Sequence, residues 1–490
     1  MNVCIAVDLG SSNGRVMAGY VDQGKLYIKE IHRFDNVIIF NDGEWQWEHH
    51  ILFNQICVGL KKVESMGFNI LSIGVDTWGV DFVLLDEFDK KLLPDVAYRD
   101  LRTNGYIAKR ECLIDESDMF CLTSIQSSIY NTLYQLMSLS DTNPRKLAKV
   151  RSFLFTPDYF HYLLSGKKMI EQTIASTSQM LSLDGKNWSS EILQLIKLPI
   201  NTLTRPIPAG TVIGKLNPKL ADQLGLRSKA KIIAPASHDT ASAFVAVPAT
   251  SKYWAVISSG TWSLLGIESS TPLLGSEIRN AGFSNERGVY DSFSIVKNMI
   301  GMWLIQRVKM DSKTTMSYGE LVQAASQVKS WRSFIDPNDT RFLNPKNMVD
   351  EIRAYCKQTL QPVPQSLGEI ARCIFESLAL AYRVGIEQLE QSKSHKFEQL
   401  HMVGGGIQNE MLCQLTADVC QIKVVCGPIE GSALGNIVVQ MISLNQLDNI
   451  ADARIMIKDS FELTYFEPQN LKEFAPHWKR FVDLISSKIQ

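Results

Sequence analysis

The chain has 490 residues, 45% of them hydrophobic and 21% charged, with 50 Lys and Arg against 51 Asp and Glu for a formal net charge of −1. That length and composition fit an ordinary globular protein of two or three domains. The even charge balance excludes a basic surface built for nucleic acid or an anionic membrane.

In chain order, Val3 to Val7 reads as a strand, followed by the turn Gly10-Ser11-Ser12-Asn13-Gly14-Arg15 and strands over Val16–Val21 and Lys25–Ile31. The chain therefore opens as a β-meander, not as β-α-β. Trp47 to Met66 is helix-like, Ile70 to Val75 is a buried strand leading into Asp76-Thr77-Trp78-Gly79-Val80-Asp81, and Phe82 to Leu85 is another. Thr103–Ile125 and Ser128–Ser140 have helical patterns, and a helix ends at Gly166. Lys231-Ile232-Ile233 reads as a strand before Ser237-His238-Asp239, with a helix expected from Thr240 to Val247. A polar breaker at Pro248–Ser251 sets the expected domain boundary between 248 and 249.

After the boundary the opening theme returns. Ala255-Val256-Ile257-Ser258-Ser259-Gly260-Thr261 is a strand and a small-residue turn, and Trp262 to Ile267 is a second strand. The repeat suggests two domains of related architecture facing each other. A helix over Leu367–Gln391, a strand over Leu400–Val403, the run Gly404-Gly405-Gly406, a helix from about Asn409, a strand over Lys423–Val425 and a helix over Ser432–Ser443 make the second half α/β as well. Asp336 to Lys346 reads as a long loop of no assigned purpose.

Nine scattered cysteines, an odd number with no C-x-x-C spacing, argue against a zinc site or a disulfide framework. Cys413, Cys420 and Cys426 are expected as buried thiols, and whether Cys356 and Cys373 meet is open. No apolar stretch reaches the ~18 residues of a spanning helix, and the N-terminus lacks the basic start of a signal peptide. A cytoplasmic setting is expected.

Several stretches carry possible chemistry. Ser11, Ser12, Asn13 and Gly14 can take positive φ and present successive N–H groups to a phosphate, or they are a plain hairpin turn. Ser258-Ser259-Gly260-Thr261 offers the same choice. Two such turns opening two domains favour a polyphosphate gripped from both sides. Asp8, at a strand end, suits Mg²⁺ held through water. Gly405 lies where a flat base could approach backbone, although the run is no dinucleotide fingerprint. Asp239 ends a strand and precedes a helix, the sheet edge where α/β proteins bind ligands. It reads as a general base or as an N-cap, and the helix N-terminus is expected to favour its anion and leave it a weak base. Trp78 with Gly79 could form the floor of a sugar site. His238, Asn298 and Gln306 could reach substrate or be ordinary structural residues.

Asp8-Leu9-Gly10-Ser11-Ser12-Asn13-Gly14-Arg15, Ser259-Gly260-Thr261-Trp262 and Val403-Gly404-Gly405-Gly406-Ile407-Gln408-Asn409 resemble the two phosphate motifs and the adenosine motif of the FGGY carbohydrate kinases. The resemblance covers nearly the whole chain, including Gly427 to Asn436. It implies two related ribonuclease-H-like (actin/hexokinase-type) domains, 1–248 and 249–490, with a catalytic cleft between them. It implies ATP contacts at Ser11, Ser12, Asn13, Gly14, Arg15, Thr261, Gln306 and Gly405. It also implies sugar contacts at Gly79, His238, Asp239, Thr240 and Asn298, with Asp239 as proton acceptor. Gly74 to Phe82, Ala97 to Asp100, Ser237 to Ser242 and Lys297 to Trp303 resemble the members that act on L-rhamnulose. The expected reaction is ATP- and Mg²⁺-dependent phosphorylation of its 1-hydroxyl, with no nucleic-acid or membrane partner, by a monomer or a dimer. Other ketoses (xylulose, fuculose, ribulose), a catalytically silent sugar-responsive regulator and an actin-like ATPase are the competing readings.

Overall fold

The computed structural model describes residues 1–227, 229–469 and 474–487. The first sheet has the order β3-β2-β1-β4-β6-β5, built from β1 (Asn2–Leu9), β2 (Asn13–Asp22), β3 (Lys25–Asp35), β4 (Asn69–Thr77), β5 (Val212–Lys215) and β6 (Lys231–Ile233). β1, β2 and β3 are antiparallel, whereas β1 and β4, and then β4 and β6, are parallel. Nearly all of β1 is buried, as its unbroken apolar run requires of a strand covered on both faces. On one face lies α1 (His49–Ser65), burying Leu52, Ile56, Leu60 and Val63 at helical spacing. The last of the first-half elements is α2 (Asp239–Val245).

The second sheet repeats this plan. Its order is β9-β10-β8-β7-β11-β12-β13, from β7 (Trp254–Ser259), β8 (Trp262–Ser269), β9 (Ser284–Arg287), β10 (Phe293–Ile300), β11 (Gln399–Val403), β12 (Lys423–Cys426) and β13 (Thr464–Phe466). β7 and β8 form the antiparallel opening, and β7, β11 and β12 are parallel. The second core is dominated by α3 (Leu367–Lys393), whose N-terminus carries a full capping box between Ser366 and Glu369. α4 (Glu410–Cys420) and α5 (Gly431–Ser443) follow.

α5 joins the two halves. Gln440 Nε2 donates to the Ile5 carbonyl at 2.9 Å, and Ser72 Oγ donates to Gln440 Oε1 at 2.7 Å. A Cβ on Gly435 would lie 1.8 Å from the Ser242 carbonyl oxygen of α2, so α2 and α5 cross with only a glycine's thickness between them. No helix among the described residues is long and apolar enough to cross a membrane.

Three expected elements differ. Thr103–Ile125 is not one helix. A turn at Gly105 (φ 84°) separates Leu101–Thr103 from Tyr106–Glu111, and Asp115 then caps a new helix, Glu116–Thr123, by accepting from Asp118 N. The helix expected from Ser128 begins at Thr132, because Asn131 Oδ1 accepts from Ser128 N at 2.7 Å and closes a turn first. The loop 336–346 contains a short 3-10 turn, Thr340–Phe342. It plugs the fully buried Phe342 into the second core, where the Phe342 carbonyl accepts from Trp303 Nε1. Cys356 and Cys373, free and buried, interact thiol to thiol, and this contact draws the Cys356 pKa below its ordinary value.

Candidate active site

Both small-residue turns are hairpins at the same edge of their sheets. Gly10 N donates to the Asn13 carbonyl, and Gly260 N donates to the Trp262 carbonyl, each at 2.9 Å. Neither uses the left-handed backbone expected of the first turn: Gly10, Ser11, Ser12, Asn13 and Gly14 all lack positive φ. Gly14 is required for space instead, since a Cβ there would lie 2.4 Å from the Phe34 ring. Gly404 does take φ 84°, and Cβ atoms on Gly404 and Gly406 would meet Ser259 at 2.8 and 2.0 Å. The glycine run thus packs directly on the second turn, while Gly405 faces open space.

A cleft of about 610 Å³ lies between the two hairpins. Among the residues singled out in the sequence, Ser11, Ser12, Gly79, His238, Asp239, Thr240, Thr261 and Asn298 line it. Asp8, Asn13, Gly14, Arg15, Gln306 and Gly405 are not part of its wall. Gln306 nevertheless reaches the second turn, its Oε1 accepting from Thr261 Oγ1 at 3.4 Å. Arg15, expected on phosphate, is engaged by carboxylates. One guanidinium nitrogen is 2.5 Å from Asp8 Oδ2 and another pairs with Glu430, ahead of α5.

The acids sit together on the first sheet. Asp8 and Asp76 are opposite each other on the parallel strands β1 and β4. Burial first, and then the Asp8 carboxylate, push the Asp76 pKa well above its usual range, although Asn436 Nδ2 of α5 donates to its Oδ2. Asp239 is the first residue of α2, after the N-cap position held by His238, and 29% of its side chain is exposed to the cleft. Its pKa is raised to about 6, by burial above all and by Asp8, against the lowering effects of His238 and Thr240. This overturns the expectation of a weak base. Desolvation beats the helix N-terminus, giving a carboxylate matched to proton transfer near neutral pH.

Asp81 anchors the wall formed by Trp78, Gly79 and Val80. Its Oδ2 accepts from the Trp47 and Trp78 indoles at 2.6 and 2.9 Å, and the two rings stand 4.3 Å apart. Between Trp78 and Asp81, Val80 is held at φ 70°, a strained conformation for a β-branched residue. The Thr177 hydroxyl accepts from its N–H, and the Thr132 hydroxyl donates to its carbonyl.

Sequence reasoning missed three groups. Glu286 lies 3.0 Å from His238 Nδ1. Glu171, fully buried, accepts from Ser237 N and from the Thr173 hydroxyl. Gln126, Tyr130 and Asn131 form a further wall of the cleft. None belongs to a local motif; only their long-range packing brings them in.

Two sheets of one plan flanking such a cleft define the actin/hexokinase type of fold. Residues 3–246 match the N-terminal domain and residues 255–444 the C-terminal domain of the FGGY family of carbohydrate kinases. The chain is 43% identical over 479 residues to a rhamnulokinase of Pectobacterium atrosepticum, covering 97% of this chain and 95% of the relative. It is 39% identical over 466 residues to a rhamnulokinase of Bacillus subtilis, covering 95% of each. Among solved structures it resembles a ligand-bound xylulose kinase from Lactobacillus acidophilus, with a TM-score of 0.83 at 15% identity over 100% of this chain and 98% of that one. A Plasmodium falciparum glycerol kinase with ADP gives 0.79 at 13% identity, over 99% and 98%. The chain belongs to the FGGY family of carbohydrate kinases, and its substrates are accordingly a sugar and ATP.

Proposed function

We propose that the chain phosphorylates L-rhamnulose on its 1-hydroxyl, giving L-rhamnulose 1-phosphate and ADP, with units divided at 248/249 closing on the substrates. The observation that carries this reading is that Asp239 shares one cleft with both hairpin turns. The likeness to rhamnulokinases over nearly the full length supports the choice of sugar.

The sugar lies against Gly79, His238, Thr240 and Asn298, and Asp239 orients the attacking hydroxyl and accepts its proton. With a loose transition state, positioning supplies most of the rate. Backbone of the first turn (Ser11 to Gly14) and the Thr261 hydroxyl hold phosphates, Gln306 positions Thr261, and Gly405 lets adenosine lie on backbone. Arg15 reaches phosphate by leaving its two carboxylates.

No group of three or more His, Cys, Asp or Glu among the described residues forms a direct metal cage. The donor chemistry nevertheless suits Mg²⁺ bound through water. Asp8 and Asp76 put carboxylate oxygens side by side, and Asp76 Oδ1 is buried with no hydrogen-bond partner. Asp8 would hold the ion, which supplies charge neutralisation for the phosphates.

Purified protein with ATP and Mg²⁺ is to be assayed against L-rhamnulose, L-fuculose, D-xylulose and D-ribulose by coupled ADP release. L-rhamnulose should give the highest kcat/KM. A different preferred ketose overturns the substrate, and ATP hydrolysis indifferent to sugar overturns the kinase mechanism.

A further inference from the structure

β9 is a strand of four polar residues, Ser284-Asn285-Glu286-Arg287, and all four are buried. Burying polar groups costs free energy unless each finds a partner, so the partners say what the strand is for. Ser284 Oγ accepts from Gln126 N at 3.0 Å. Asn285 exchanges two hydrogen bonds with the Leu273 backbone. Arg287 lies over the Phe293 ring and pairs with Asp291. Strand alternation turns Ser284 and Glu286 to the cleft and the other two away, and both of the former line it.

Glu286 is the exception among the four. It contacts His238 of the first half, whose Nδ1 is 3.0 Å from Oε2; the two side chains are 10% and 9% exposed. The contact is an ion pair across the cleft when the ring is protonated. The His238 backbone is fixed from behind, its N–H donating to Thr173 Oγ1 at 3.1 Å, and that hydroxyl in turn donates to Glu171. Only the imidazole can still turn. On its other edge, Nε2 stands 3.5 Å from Asp239 Oδ1.

We propose that Glu286 is a positioning residue for phosphoryl transfer: from the second half of the chain it holds the His238 ring with Nε2 turned to Asp239 and the sugar, so that the ring is set only when the halves are together. The inference rests on the reading of the site as a ketose kinase. The charges facing the ring agree with it. Burial alone lowers the imidazole pKa, but Glu286, then Asp239 and Glu171, more than reverse this, and the net shift is upward. A neutral residue at 286 frees the ring to rotate and removes the largest charge holding its proton.

The test compares wild type with Glu286→Gln and Glu286→Asp. NMR titration of labelled histidine, with His238→Ala to assign the signal, reads the ring without turnover. Its pKa should fall in Glu286→Gln and be largely restored in Glu286→Asp. Sugar kinetics should show kcat reduced about 10- to 100-fold in Glu286→Gln, the worth of a buried contact to a charged group, with the KM for ATP unchanged. An unshifted His238 signal overturns the proposal, as does a shifted signal with wild-type kcat. A general loss of folding, seen as a raised KM for ATP and a lowered Tm in Gln and Asp variants alike, assigns Glu286 a structural role and also overturns it. A wild type that phosphorylates no ketose defeats the reading of the site, and is told apart because the NMR comparison needs no substrate.

Discussion

Replacing Asp239 with Asn should make the protein inactive and, at alkaline pH, more stable. The folded carboxyl titrates at about 6 against an ordinary 3.8. A carboxyl with a raised folded pKa binds its proton more tightly in the native state, so its ionisation works against folding. That burden is absent below the unfolded pKa, grows between the two values, and is complete above the folded one. A little over two units, at 1.36 kcal/mol each, amounts to about 3 kcal/mol at most near pH 8 and about 1 kcal/mol near pH 4.5. Asn has the shape of the protonated acid without its charge. Denaturant unfolding of both proteins, in chelator and without sugar, should therefore show a stability gap that closes as the pH falls. Equal stabilities near pH 8, a gap indifferent to pH, or sugar phosphorylation surviving in Asp239→Asn would refute the reasoning.

Gly435→Ala puts a methyl group 1.8 Å from the Ser242 carbonyl oxygen, against backbone that cannot yield without parting α2 from α5. It should cost about 3 kcal/mol, read as a lowered denaturation midpoint, and it should depress kcat because α2 carries Asp239. Asn298 is exposed in the cleft. Asn298→Ala should raise the sugar KM about tenfold while leaving stability within about 0.5 kcal/mol; an unchanged KM removes it from the sugar site. Chelation of divalent cations should abolish turnover and added Mg²⁺ restore it, with wild-type activity in excess chelator counting against Asp8 as the ion's holder.

Much of the fold was legible because it is local. The buried run Val3 to Val7, the helical spacing in α1 and α3, and the strand–turn–strand theme at Asp8 and again at Ser258 are patterns within a few residues of each other. The breaks at Gly105 and Asn131 were not, because a left-handed glycine at one and an Asn side chain closing a turn on Ser128 at the other interrupt an otherwise helical pattern. At the site, Asp239 and the two turns were legible from strand ends. The pKa of Asp239 was not, since it depends on how deeply the cleft is dried and on Asp8, far away in sequence. Glu286 was invisible for the same reason: Ser-Asn-Glu-Arg reads as surface, and only the opposite half makes it interior.

The two halves repeat a plan but not a chemistry, and the difference accounts for the division of labour in the proposed reaction. In the first sheet the paired strand ends are Asp8 and Asp76. At the matching register of the second sheet they are Ser258 and Val403. Like charges packed at both edges would repel a triphosphate entering between them. With paired acids at the strand ends of one sheet and none at the matching ends of the other, a cation and an attacking hydroxyl can be held at the first, while the second offers neutral backbone, the Thr261 hydroxyl and the glycines at 404–406. Arg15, paired with Asp8 and with Glu430, balances charge at that acidic edge. The helix α5 reaches back across the join so that Asn436 can donate to Asp76. The second half therefore steadies the acids of the first without placing a charge at the strand ends that match Asp8 and Asp76, and an acidic substitution at Ser258 should weaken ATP binding more than a neutral one of the same size.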